Sequence, residues 1–270
     1  MLRRYAMGIE YDGSEFSGWQ RLSKHGEADP EGYVTLQSTI EAALSYVAGA
    51  PIEIICAGRT DAGVHALNQV VHLDAPVERD AFSWVRGTNR YLPADIAVQW
   101  CRSVAPDFHA RKSARGRRYV YRLLVSPVRP SIENGLVGWT FRPLDGDAMR
   151  AAAQHLVGEH DFSSFRAAEC QAATPVKRLH TITVSTRGAL WRFDFDGVAF
   201  LHHMVRNIMG CLVAVGQGLH PPDWMAEVLA ARRRDAAAST FAPDGLYFAG
   251  PYYDAAHAIP EHTPAFDWIA

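Results

Sequence analysis

The sequence predicts an α+β protein in which helices pack on a continuous mixed sheet, and three observations carry that prediction. Several short runs alternate apolar and polar residues with period two, the pattern of half-buried strands. Between them lie segments with apolar residues at helical spacing, opened by Thr or Asp in the capping position. The second half of the chain then repeats the strand–helix–strand–strand layout of the first. This suggests two halves, residues 1–105 and 106–250, followed by a tail over 251–270. At 270 residues, 48% hydrophobic and 21% charged, the chain has the composition of a soluble globular protein with ample core.

Taken in order, residues 3–11 alternate as a strand and run into Tyr11-Asp12-Gly13, a turn signal. Phe16 and Trp19 follow in a Gly/Ser loop, where they either pack under the loop or face a ligand. Residues 23–33 are polar with Gly and Pro, as in a surface loop. Thr35–Val47 reads as a helix with Thr35 as N-cap and Leu36, Ile40, Ala43, Leu44 and Val47 as its apolar stripe. Ile52, Ile54 and Ile55 mark a buried strand, and Gln69–Leu73 a second one. Asp80–Tyr91 reads as a helix capped by Asp80 and carrying Trp84, and Asp95–Val104 as a strand. In the strand around Tyr119–Leu124, alternation puts Arg117, Tyr119 and Tyr121 on one face and Arg118 and Val120 on the other. The second half offers a helix at Asp145–Val157, strands at Leu179–Thr186 and Leu190–Phe195, helices at His202–Val215 and Pro222–Arg232, and a short strand at Leu246–Phe248. Tyr252–Ala270 shows no period.

Composition narrows the function classes. No apolar run approaches the roughly 18–20 residues that cross a membrane, and the N-terminus enters strand pattern without a signal-peptide core, so a cytoplasmic protein is expected. The four cysteines, Cys56, Cys101, Cys170 and Cys211, are widely spaced and read as buried reduced thiols instead of disulfides or a zinc site. The histidines do not make a metal motif: His202 and His203 are adjacent, and His155 and His160 flank a glycine. Net charge is −2, yet Arg111, Lys112, Arg115, Arg117, Arg118 and Arg122 follow one another without an acid between His109 and Arg122. Such a run makes either a positive cleft for nucleic acid or a solvated basic surface.

The stretch that concentrates chemistry is Cys56–Ala66, with Gly58 and Gly63 enclosing Arg59, Thr60 and Asp61 between two strands. Loops at strand ends, held by a sheet, are where reactive side chains are presented. Asp61 is placed as a working carboxylate, with Arg59 two residues away to keep it ionised. The alternative is a polar turn in which Asp61 bonds its own backbone. The glycine spacing matches the start of a phosphate-binding loop, but Val64 and His65 stand where that loop needs Lys and Ser or Thr, so a nucleotide loop is excluded.

The blocks YDGSEFSGWQ (11–20), AGRTDAGVHALNQVVH (57–72), NRYLPADIAV (89–98), FHARKSARGRRYVYR (108–122), GEHDFSSFRA (158–167), FLHHMVRNIMG (200–210) and GLYF (245–248) together resemble, in order, those of the tRNA pseudouridine synthase A family. The resemblance implies two ferredoxin-like halves forming an extended sheet with a basic cleft. It also implies a homodimer working without metal or organic cofactor. The implied reaction is isomerisation of uridine to pseudouridine at positions 38, 39 and 40 of the tRNA anticodon stem-loop. It makes Asp61 the nucleophilic carboxylate and assigns Arg59 to flip the target base or fill its space. Arg206 is implied to pair with Asp61, Tyr119 to stack on the uracil and Leu246 to close the pocket. Arg111, Lys112, Arg115, Arg117 and Arg118 are expected along the RNA path.

An ionised carboxylate can hold the fragments together by attacking the uracil ring or the ribose carbon, and the residues do not choose between them. Tyr119 could also take a proton in a glycal-type route. Three positions depart from the family pattern: Val198 replaces a usual Asn, the loop over 22–33 is long, and Arg21 follows Gln20 where a second Gln is usual nearby. Two other classes compete with the isomerase. A non-catalytic RNA-binding protein would have lost the nucleophile; a glycosidase-like hydrolase needs a second acid, of which Asp74 is nearest in sequence.

Overall fold

The computed structural model describes residues 2–23, 29 and 31–261. In chain order its elements are β1 (Arg3–Tyr11), α1 (Leu36–Ala48), β2 (Ile54–Cys56), β3 (His65–Ala75), α2 (Ala81–Asn89), β4 (Ile96–Ser103) and β5 (Ala114–Val125). They continue with β6 (Gly138–Thr140), α3 (Gly146–Gln154), β7 (Gly158–Asp161), β8 (Val176–Arg187), β9 (Leu190–Gly197), α4 (Met204–Gly216), α5 (Trp224–Ala231) and β10 (Leu246–Tyr253). The protein is thus mixed α+β. By its contacts it divides into two compact units, one running to Arg115 and resuming at Tyr247, the other spanning Gly116–Leu246. The described residues from Tyr247 onward belong to the first unit. The reason is pairing: β10 runs parallel to β3, with Tyr247 opposite His65 and Phe248 opposite Ala66. The Tyr253 hydroxyl also donates to the Ala110 carbonyl at 2.7 Å. Residues 24–28 and 30 of the long polar loop, and 262–270 of the C-terminal segment, lie outside the described residues.

In the first unit β1 pairs antiparallel with both β3 and β4, and β2 pairs antiparallel with the far side of β3. The order β4-β1-β3-β2, with one helix after β1 and another after β3, is the ferredoxin-like arrangement. The helices start where their caps predict. The Thr35 side chain accepts the Ser38 amide, Asp80 accepts that of Ser83, and Gly49 ends α1 at φ +67. Leu36, Ile40 and Leu44 of α1 are fully buried, each burial contributing about 1.5–3 kcal/mol. Trp84 of α2 meets Tyr5 of β1 with ring centroids 5.4 Å apart, so the helices cover the face bearing Tyr5, Met7 and Ile9. On the other side of β3, His72 is covered by Phe108 and His109.

In the second unit β5, β9 and β8 form an antiparallel sheet, with β7 beside β8 and β6 parallel to the end of β5. Phe193 and Phe195 of β9 and Ile182 and Val184 of β8 face the buried side. The opposite side is exposed along β8 and carries charge pairs, including Arg118–Asp196 at 3.3 Å and Arg192–Asp194 at 2.6 Å. Helix α4 is buried along most of its length. No helix among the described residues is long and apolar enough to cross a membrane. All four cysteines are free and buried.

Candidate active site

The loop bearing Asp61 begins where β2 leaves the edge of β3. The Ala57 amide still donates to Val70 O at 2.8 Å. At Gly58 the strand rung ends, and the side-chain amide of Gln69 bonds both backbone groups: Gly58 N–H donates to Oε1 at 3.4 Å, and Nε2 donates to Gly58 O at 2.5 Å. Thr60 is turned inward. Its hydroxyl lies 2.8 Å from the Tyr11 hydroxyl, and its carbonyl accepts the Trp19 amide at 3.0 Å. A tight turn follows, with Val64 N–H donating to Asp61 O at 3.2 Å and Gly63 at φ +76. Gly18 lies against this turn at φ +91; a Cβ there would stand 3.1–3.3 Å from backbone atoms of Thr60, Asp61 and Ala62.

Asp61 is half-buried at the start of that turn and Arg59 is exposed. Anchoring Thr60 inward leaves Arg59 on the solvent side. Of the two readings for the aromatic loop, packing underneath is the one observed. Phe16 and Trp19 are buried, and the Trp19 ring lies 6.0 Å from that of Tyr11.

Two more contacts of β3 frame the loop. His65 Nδ1 accepts the Gly13 amide at 3.1 Å, and its ring stacks on Tyr247 at 4.6 Å. His72 Nδ1 accepts the Ala110 amide at 3.1 Å; burial, with the His109 and Arg4 charges adding, pulls its pKa down to about 4. That bond anchors the start of the basic run. Arg111 Nη2 lies 3.7 Å from Cys56 Sγ, whose thiol burial pushes upward in pKa. Lys112 is exposed, and Arg115 pairs with Asp254 at 2.7 Å.

The remaining expected site residues belong to the second unit. Tyr119 and Arg117 share the β5 face that looks toward Phe195, and Tyr119 meets Phe200 edge-on at 5.0 Å. Arg117 donates to Val198 O at 3.0 Å. Arg118 stands on the opposite face with Asp196, as alternation required. Val198, the departure from the family pattern, is exposed. Arg206 lies in the first turn of α4 and is locked to Phe241: its Nε donates to Phe241 O at 2.9 Å, and Phe241 N–H donates to Arg206 O at 3.1 Å. The Phe241 ring in turn meets Tyr121 of β5 at 5.7 Å. Leu246 is buried behind Gly245, which runs so close to β5 that a Cβ would fall 2.1 Å from Arg122 O.

Sequence reasoning passed over Gln69, Tyr11 and Thr60. The available signal was a glutamine inside a strand buried on both faces. It also left Arg21 unexplained. That residue pairs with the buried Glu41 at 2.6 Å and with Glu53 at 3.1 Å.

A family model described as "tRNA pseudouridine synthase" matches residues 7–111 and 152–254. A tRNA pseudouridine synthase A from Methylibium petroleiphilum is 64% identical over 266 residues, covering 98% of this chain and 99% of the relative. One from Polaromonas naphthalenivorans is 60% identical over 271 residues with the same coverage. Among solved structures, a Cbf5-Nop10-Gar1 complex is similar at a TM-score of 0.32 and 12% identity, covering 77% of this chain and 54% of that one.

Proposed function

The chain belongs to the tRNA pseudouridine synthase family, and on that premise we propose that it converts uridine to pseudouridine at positions 38, 39 and 40 of the tRNA anticodon stem-loop, with Asp61 as the nucleophile. The observation that carries this reading is the mounting of Asp61. It is the half-buried carboxylate of a loop pinned on both sides, inside the family's most distinctive sequence block. The reaction breaks the bond from the ribose anomeric carbon to N1 and re-forms it to C5. The C5 hydrogen leaves as a proton and N1 gains one. A carboxylate that bonds covalently to one fragment keeps the two from separating between these steps.

Removing the target base from its stack costs a few kcal/mol. Stacking on Tyr119 returns about 1–3 kcal/mol, and phosphate contacts supply the remainder. In this reading Arg59, which is exposed, is available to fill the space the base leaves. Arg206 supplies the cation for Asp61, and Leu246 closes the pocket. Arg111, Lys112 and Arg117 contact phosphates. Arg115 and Arg118 join them by exchanging their surface carboxylates for phosphate, since exposed ion pairs hold only about 0–1 kcal/mol. The same reading makes the enzyme a cytoplasmic homodimer needing no metal or organic cofactor.

The test uses unmodified tRNA with tritium at uridine C5, mixed with wild-type protein and with Asp61→Asn in chelator. Release of tritium to water by the wild type alone, mapped to positions 38–40, supports the proposal. Equal release by Asp61→Asn overturns the nucleophile. Free uracil among the products would make the protein a hydrolase instead.

A further inference from the structure

We propose that Gln69 and Tyr11 are positioning residues for Asp61, acting through the backbone of Gly58 and Thr60; the inference rests on the reading of Asp61 as nucleophile. The outer edge of β3 is shared by two strands. β2 pairs with Val71–Leu73, and β10 takes His65 and Ala66. The chain leaving β2 must therefore quit the edge after its last rung at Ala57. Gly58 is the first residue without a strand partner, and both of its backbone groups require one.

Gln69, with no exposed surface, meets that requirement with a single planar group. A primary amide carries an acceptor and a donor side by side, as a backbone rung does. The same Nε2 lies 3.4 Å from the Tyr11 hydroxyl, which bonds Thr60. The result is one buried chain, Gly58–Gln69–Tyr11–Thr60, that grips the residues on both sides of Arg59 and ends one residue before Asp61. Buried and mutually satisfied polar networks hold a single geometry, and displacement of a catalytic group by 1 Å costs about a hundredfold in rate.

The experiment measures single-turnover tritium release, KM and tRNA affinity for Gln69→Glu, Tyr11→Phe, Thr60→Val and Thr60→Ser, with Asp61→Asn alongside. Gln69→Glu keeps the shape but removes the donor to Gly58 O. The expected result is a roughly 10- to 100-fold fall in kcat for the first three variants, with KM and tRNA affinity within about twofold. Thr60→Ser, which keeps the hydroxyl, recovers most of the loss seen in Thr60→Val. Amide exchange at Gly58–Asp61 should quicken in Gln69→Glu while that of β1 does not. Folded variants with wild-type kcat, or losses that appear only in KM and melting temperature, overturn the positioning role. If Gln69→Glu does not fold, Tyr11→Phe decides the matter by the same criteria. Activity persisting in Asp61→Asn would instead overturn the nucleophile, and with it the premise.

Discussion

Replacing Gly18 by alanine tests how closely the aromatic loop bears on the catalytic turn. Two costs are separable. At φ +91 a non-glycine residue is strained by about 1–2 kcal/mol. In addition the new Cβ would sit 3.1 Å from Ala62 N, 3.2 Å from Thr60 O and 3.3 Å from Asp61 C, all backbone atoms with no rotamer to yield. The turn must therefore shift by a few tenths of an ångström. Scaled from about a hundredfold per ångström, that shift costs roughly three- to tenfold in kcat. Gly49→Ala supplies the control: it carries the same kind of strain at φ +67 with nothing within 4 Å of its Cβ. Thermal melts should show both variants losing about 2–8 °C. Tritium release should fall only in Gly18→Ala. Equal stability losses with equal, wild-type kcat would refute the claim that Gly18 supports the turn.

Other perturbations address charge. Arg21→Met strips the Oε2 partner from Glu41, which is 1% exposed and keeps only the Gln37 and Ile54 bonds to Oε1. It should lose about 2–4 kcal/mol, and adding Glu41→Gln should recover part of the melting temperature, because an amide needs no counter-charge. His72, held neutral down to about pH 4, leaves the unfolded chain to take up a proton first. Stability should therefore be full above about pH 6.5 and fall toward pH 4 by an amount on the order of 3 kcal/mol. His72→Gln should flatten that part of the melting-temperature profile, and an unchanged slope would contradict the buried neutral imidazole. Asp254→Ser frees Arg115 while keeping an oxygen to cap Ala256. If Arg115 lies on the RNA path, log affinity for tRNA should depend more steeply on log salt, by up to about one unit of slope; an identical slope would place Arg115 elsewhere.

The parts of the fold legible in the sequence were those settled locally. Thr35 and Asp80 announced α1 and α2 because a cap is a contact between a side chain and an amide three residues on. β1 is legible because bulky Tyr5, Met7 and Ile9 alternate with small Ala6 and Gly8, although both faces are buried from Tyr5 to Ile9. The pairs that escaped notice are non-local and short: β6 and β7 hold three and four residues, too few for a period, and β6 exists only because the end of β5 offers it a parallel edge. The sequence pattern marks only Gln69–Leu73 of β3, which runs from His65 to Ala75. It is buried on both faces, so it shows no clean alternation, and its polar residues interrupt the apolar run.

Those interruptions are where fold and site meet. His65, Gln69 and His72 lie inside a buried strand, where an unpaired polar group is costly, and each bonds the backbone of a different segment: Gly13, Gly58 and Ala110. One segment carries the aromatic loop, one carries Asp61, and one begins the basic run. Asp61 could be found by motif, because its chemistry is its own. Its supports could not, because a glutamine serving as a strand rung has no local signature. What the sequence does offer is a reason to inspect each polar residue of such a strand: burial on both faces makes it costly unless it is bonded. Of the five polar residues in 65–75, His65, Gln69 and His72 bond loop backbone, Asp74 pairs with Arg4 at the exposed end of the strand, and Asn68 is buried with its side-chain oxygen unbonded among the described residues.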